Sequence, residues 1–367
     1  MKAVTVGGAM VDSIAIIEDE RIERMSMRNA QSSFLLLEDG QKIEASEISQ
    51  HCGGGAVNTA VCMARLGIDT STVVKLGQDQ RADVILRRLE DEAISTRWVM
   101  RDHRSATGAA VVVSSHERDA AIFTFRGANT LLEPREFKPE MFAVDLVYVS
   151  GLSNESADCF PEIIRLAKTN GAKVATNPGI RQITSRTASF LDAMRDIHIL
   201  SLNRTEAAAL VPFLVGKFGE IPEPPLHGEH GQRPDLLRLG LSFGGHDMSL
   251  PTFALAIQRC GVPLVLVTNG SDGAYVGSPG QIDHCAASSV GVVGTAGAGD
   301  AFASTFAAWM CESNDKSAAL RAATCNAASV IAHADTQTGL LARSTLEKHI
   351  TSLDQSPQIR TWSVHAR

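Results

Sequence analysis

Alternation restricts this chain more than any other feature. Short runs of Val, Ile and Leu recur, separated by longer stretches in which apolar residues follow a helical period. Residues 4–7 read as a first strand, and residues 56–66 as a helix stopped by Gly67. Residues 72–76 are strand-like, and residues 81–92 are helical, with Val84, Ile85 and Leu89 on one face. Further strands are expected at 146–149, 173–176, 197–200 and 264–268, with helices such as 161–169 between them. Strand and helix taken in turn demand βαβ units, because parallel neighbours are joined only through a crossover. The expected class is α/β with a mostly parallel sheet.

Two stretches interrupt the pattern. Residues 13–49 carry several short apolar runs without a strong helical period. Residues 108–125 hold two β-rich runs, 109–113 and 121–125, around the polar turn His116-Glu117-Arg118-Asp119, and read as a β-hairpin. Together they are expected to form a small sheet beside the main one. A third segment, 216–245, is rich in Pro, Gly and His and reads as an insertion or long surface loop.

Composition excludes several function classes. A length of 367 residues permits one large domain or two ordinary ones. The net charge of -7 argues against nucleic acid as a partner, since neutralising phosphates needs a basic surface. No apolar run is long enough for a membrane span, and the N-terminus lacks the apolar core of a signal peptide. The seven cysteines are widely spaced with no C-x-x-C, as expected of reduced thiols in a cytoplasmic protein. His227, His230 and His246 read as solvated loop residues rather than metal ligands. His51 and Cys52 alone do not make a zinc site.

Five segments carry candidate chemistry. The strongest is Gly294-Thr295-Ala296-Gly297-Ala298-Gly299-Asp300-Ala301-Phe302, a glycine-rich turn running into a small-residue helix over 301–310. Glycines let backbone N–H groups face an anion at close range, and a helix start adds partial positive charge. A carboxylate there has a use if it takes a proton from a hydroxyl while the amides stabilise a phosphoryl group. A plain N-cap Asp fits the segment equally well. The second is Gly53-Gly54-Gly55-Ala56-Val57-Asn58 before a helix, where Asn58 either meets substrate hydroxyls or braces the loop. It is not the G-x-G-x-x-G of dinucleotide binding. The third is Asn203-Arg204-Thr205-Glu206, either a helix cap or a pair that holds a hydrated Mg²⁺. The fourth, Thr268-Asn269-Gly270-Ser271-Asp272-Gly273, is either a hairpin turn or a border for nucleotide phosphates. The fifth is Asp12, after the first strand, which either binds a pair of sugar hydroxyls or caps a turn.

In this order the segments resemble the ribokinase-like (PfkB) family of carbohydrate and nucleoside kinases. The first signature is similar to residues 53–58 with the helix that follows. The second is similar to Gly297-Ala298-Gly299-Asp300. Weaker echoes lie at Leu76-Gly77-Gln78-Asp79, Thr107-Gly108, Gly127-Ala128-Asn129, Asn177-Pro178, 203–206, 268–273 and Asn326-Ala327-Ala328. The resemblance implies a doubly wound α/β core (1–10, 51–103 and 127–367) with a β-sheet lid from 11–50 and 104–126. It implies an ATP-dependent kinase acting on a sugar or, alternatively, a nucleoside; a catalytically silent ligand-binding relative is the remaining alternative. Asp300 is implied as base, and the N–H groups of Gly297, Ala298 and Gly299 as anion hole. Asp12, Gly54, Gly55 and Asn58 are implied to hold the acceptor. Asn203 and Glu206 would organise Mg²⁺ and phosphates. Thr268, Gly270 and Gly273 would border the nucleotide, with Asn326 near its base. Gly294 replaces the Asp that supports a monovalent cation in relatives. A homodimer through the lid is also implied.

Overall fold

The computed structural model describes residues 1–17, 23–26, 33–36, 40, 42–115, 120–228, 232–352 and 357–364. Six parallel strands form the body of a ten-stranded sheet, in the spatial order Leu264–Thr268, Ile199–Asn203, Lys173–Thr176, Leu146–Val149, Lys2–Val6, Asp69–Val73. Their burial on both faces explains why they read as unbroken apolar runs rather than alternating ones. Beyond Leu264–Thr268 the sheet continues antiparallel through Ala274–Ser278, Gln281–Cys285, Ile359–Val364 and Leu226–Gly228.

From Lys2–Val6 the chain steps outward to Asp69–Val73, then returns to the other side of Lys2–Val6 and proceeds the opposite way. Right-handed crossovers running in opposite directions place helices on opposite faces. One apolar core accordingly contains Phe160, Phe190, Leu210 and Phe253, and the other Val57, Val61, Phe306 and Leu320. The strand order reverses between Lys2–Val6 and Leu146–Val149, and the crevice at such a reversal is where open α/β sheets bind ligands.

The interrupting stretches supply a separate four-stranded sheet, ordered Ala120–Phe125, Gly108–Ser115, Met10–Ile17, Ala45–Gly53. Its outer pairs are antiparallel and its central pair, Met10–Ile17 with Gly108–Ser115, is parallel. Asp12 lies in this small sheet, on the strand Met10–Ile17. The hairpin's turn, residues 116–119, and His230 lie outside the described residues. Where the chain crosses between the sheets, Asn129 Oδ1 accepts from the Ala9 N–H at 2.9 Å and its Nδ2 donates to the Ala9 carbonyl at 2.8 Å. Gly108 leaves room for this contact: a Cβ there would stand 2.3 Å from Asn129 Nδ2.

The 216–245 segment departs from a plain loop. Gly216 lies inside the helix Arg204–Phe218, which accommodates Pro212. The short helix Asp235–Leu239 buries Leu236 and Leu237, and Leu241–Phe243 pairs with His246–Met248. His227 sits in the strand Leu226–Gly228 and His246 is exposed. Among the described residues no His, Cys, Asp or Glu cluster is placed to hold a metal, and no helix is long and apolar enough to cross a membrane. All seven cysteines are free thiols.

Candidate active site

The two glycine-rich segments meet at the sheet's reversal point. Gly54 caps the helix Gly55–Arg65 with φ 94, and a Cβ there would come within 2.5 Å of the Gly8 carbonyl. Glycine thus lets the segment lie against the end of the first strand. A Cβ on Gly55 would meet Ser150 at 2.7 Å and stand 3.6 Å from Asp300 Oδ1.

Gly297 is left-handed, φ 79, and caps the helix Ala298–Ser313. The helix therefore starts three residues earlier than residue 301, and Asp300 lies within its first turn rather than before it. A carboxylate in the first turn sits in the favourable end of the helix dipole. Its Oδ2 accepts a 2.9 Å hydrogen bond from Asn58 Nδ2, across 242 residues of sequence. Burial pushes the Asp300 carboxyl above its ordinary value, and the Asn58 bond partly offsets this.

Asn58 is itself buried, and its Oδ1 accepts from Thr336 Oγ1 at 2.9 Å and Gln337 Nε2 at 3.0 Å. With its carbonyl taken by two protein donors and its amide aimed at Asp300, Asn58 braces the carboxylate rather than offering itself to an acceptor hydroxyl. The turn holding Thr336 and Gln337 went unnoticed in the sequence. Its local sign was Gly339, where a Cβ would meet the Ser329 carbonyl at 2.5 Å.

Asp12 extends from the small sheet, flanked by His51 on one neighbouring strand and Ala110 on the other. Its Oδ1 is sealed from solvent with no hydrogen-bond partner among the described residues. Burial raises its carboxyl to about 6, with His51 acting in the opposite direction. A buried acceptor atom without a donor is costly unless a ligand supplies one.

Asn203 and Glu206 form a reciprocal capping box: Asn203 Oδ1 accepts from the Glu206 N–H, and Glu206 Oε2 from the Asn203 N–H, both at 2.9 Å. Asn177 Nδ2 approaches the same Oε2 at 3.5 Å. Burial pushes the Glu206 carboxyl up. Glu206 Oε1 has no hydrogen bond among the described residues.

Beside the Gly297 turn lies a cavity of about 670 Å³. Thr268, Gly270 and Gly273 border it at one end, Ala298 and Gly299 at the other, and Val290, Val292, Phe302, Ala327, Ala328 and Ile331 form its apolar wall. The 268–273 segment is also a hairpin turn, joining Leu264–Thr268 to Ala274–Ser278. Asn326 does not reach the cavity. It is fully buried, donating to Thr305 Oγ1 at 2.7 Å and accepting from the Leu341 N–H at 2.9 Å, so its neighbours Ala327 and Ala328 face the space instead. At Gly294 a Cβ would point at the carbonyl oxygens of His333 and Ala334, 3.1 and 3.4 Å away.

Comparison with known proteins places the chain in a family. Residues 24–214 and 251–343 match the model of the pfkB family carbohydrate kinases. Ribokinase of Staphylococcus aureus is 23% identical over 86% of this chain and 88% of its own length. Deoxyribokinase of Salmonella typhi is 26% identical over 88% and 94%. The structure of Arabidopsis thaliana ribokinase complexed with ribose and ATP superposes with a TM-score of 0.70 at 22% identity, covering 96% of this chain and 99% of that one. At that identity the superposition speaks for the fold.

Proposed function

The chain belongs to the pfkB family of carbohydrate kinases, and from that premise we propose that it moves the γ-phosphoryl group of ATP to a hydroxymethyl group of a sugar, with Asp300 as general base. The observation that carries this reading is the hydrogen bond between Asn58 and Asp300, which joins the two glycine-rich segments at one carboxylate. The acceptor oxygen forms the new bond to γ-phosphorus and gives its proton to Asp300. The bond from γ-phosphorus to the bridging oxygen breaks, and ADP leaves.

Each part of the cleft has a share in this step. The N–H groups of Gly297, Ala298 and Gly299 form the anion hole for the transferring group. The phosphates run past Thr268, Gly270 and Gly273, and the base occupies the apolar cavity. Glu206 Oε1 and Asn203 would hold a hydrated Mg²⁺, which would supply positive charge to the phosphates. Asp12 accepts from acceptor hydroxyls, satisfying its orphaned oxygen, and Gly54 and Gly55 let the acceptor approach the backbone. The small sheet closes the cleft as a lid and excludes water, which protects ATP from hydrolysis. With Gly294 there is no carboxylate at that point to support a monovalent cation. Phe123, Val111 and Ile48 lie on one face of the small sheet and are exposed, which suits pairing with a second copy through that face.

The test is ATP consumption by the full chain with sugars and nucleosides, with and without potassium, alongside the sedimentation mass of the same preparation. Turnover of a sugar without potassium, by a dimer, is expected. Preference for a nucleoside would replace the sugar by the alternative acceptor. Binding without turnover of any acceptor would leave a silent relative.

A further inference from the structure

The bond from Asn58 to Asp300 is the inner link of a longer chain. At the outer end Arg88 Nε, on the helix Gln80–Asp91, donates to Gln337 Oε1 at 2.9 Å. Gln337 Nε2 donates to Asn58 Oδ1 at 3.0 Å, and Asn58 Nδ2 donates to Asp300 Oδ2 at 2.9 Å. Gln337 and Asn58 are both buried, so neither amide can exchange these partners for water. Arg88 and Gln337 line a cavity of about 470 Å³, shared with His51, Arg87, Asp91 and Asp335, and Asn58 and Asp300 do not border it. Substitutions at its two residues therefore reach the crevice only through Asn58.

The two ends dictate one sense for the whole chain. A guanidinium only donates, so Gln337 must turn its oxygen toward Arg88 and its nitrogen toward Asn58. An ionised carboxylate only accepts, so Asn58 must turn its nitrogen toward Asp300 and its oxygen back toward Gln337. Two amide dipoles thereby stand head to tail between a cation and an anion, an order in which each bond polarises the next. Glu92 binds both Arg65 and Arg88, so that trio keeps one positive charge in excess. Asp335 is turned to other partners, the N–H groups of Gln337 and Thr338 and, at 4.0 Å, His51. Glu206 and Tyr148 also bear on Asp300 from their own elements, and neither belongs to the chain.

We propose that Arg88 and Gln337 are positioning residues for phosphoryl transfer: acting through Asn58, they hold its N–H donor toward the Asp300 carboxylate. The inference rests on Asp300 as the base, but the chain of bonds can be read without turnover. The test is Gln337→Glu. The new side chain keeps the shape and pairs with Arg88, yet once ionised it cannot donate to Asn58. Asn58 must then turn over, its nitrogen toward Glu and Thr336 Oγ1, its oxygen toward Asp300. The acid limb of kcat/KM should rise by about one pH unit, a roughly tenfold loss on that limb, with KM for ATP unchanged. In ligand-free protein with isotope-labelled aspartate, the NMR signal of the Asp300 carboxyl, identified by its loss in Asp300→Asn, should titrate higher by the same amount. Added charge alone would also raise it, so the deciding comparison is made on Asn58→Ala, where Gln337→Glu should add less than about threefold. Arg88→Met should act in the same direction by about threefold, and Arg88→Lys, which keeps charge and a donor, should recover part of it. An unmoved titration in Gln337→Glu, or effects that add in full on Asn58→Ala, would overturn the proposal. A raised titration in protein that turns over no acceptor would uphold the chain and defeat the kinase reading.

Discussion

The cavity beside Gly297 and the crevice between Asp12 and Asp300 adjoin one another, yet they are lined by different chemistry. The cavity is walled by Gly, Ala, Ser, Thr, Val, Phe and Ile, with no charged side chain. The crevice gathers Asp12, Asp300 and Glu206, whose carboxyls burial pushes up. On the proposed reading, one half would recognise its ligand through shape and backbone, and the other through ionisable groups kept partly out of water. Substitutions in the crevice should therefore change the chemical step and its pH dependence, and substitutions in the cavity should change binding of one substrate.

The largest effect is expected from Asp300→Asn. Loss of a general base should lower kcat by at least roughly 10²-fold while KM for ATP stays near its original value. Because the Asp300 carboxyl is raised on folding, its ionisation opposes the folded state once pH passes the ordinary carboxylate value near 4. The variant should thus melt higher than the parent at pH 7, and the gap should close toward pH 3. Near-normal turnover would remove Asp300 from the mechanism.

A middle-sized effect should follow Asn58→Ala, which takes away the one side-chain donor to Asp300 among the described residues. The carboxyl should rise further, moving the acid limb of the kcat/KM profile upward. A shift of one pH unit would lower activity about tenfold on the acid limb itself and progressively less above it. An unmoved limb, with only a lower melting temperature, would reduce Asn58 to a structural brace. The smallest effect is expected on the cavity side. Ala327→Leu adds bulk to its wall and should raise KM for ATP by roughly threefold to tenfold, with the acceptor's KM unchanged. A change in the acceptor's KM instead would mean the halves have been assigned the wrong way round.

The sequence conveyed elements better than side-chain directions. Residues 146–149 and 173–176 have the strand bounds expected, because both are short apolar runs that the loops around them cut off sharply. The helix at 298–313 was harder to place. Its cap is a left-handed glycine, and three small residues hide where helical hydrogen bonding begins. A loop was expected from Gly216, yet the helix from Arg204 runs on to Phe218, with most of its residues before Val215 buried. The roles of Asn58 and Asn326 depend on partners far away in sequence, Thr336 for one and Thr305 and Leu341 for the other. No local pattern reports whether an amide in a helix faces a cleft or a core. Several echoes of the family pattern are scaffolding: the Gly77 N–H donates to Thr107 Oγ1, whose own N–H donates to Asp79.

The amide of Asn129 imitates a peptide group, closing a two-pronged bridge onto Ala9 at the foot of the small sheet. One outgoing and one returning crossing of the chain are fastened there by a single side chain. Rocking of that sheet over the crevice would load this fastening together with the one at Thr107, as a door loads its pins. An aspartate in its place would keep the shape but lose the prong that donates, and the pin would work loose.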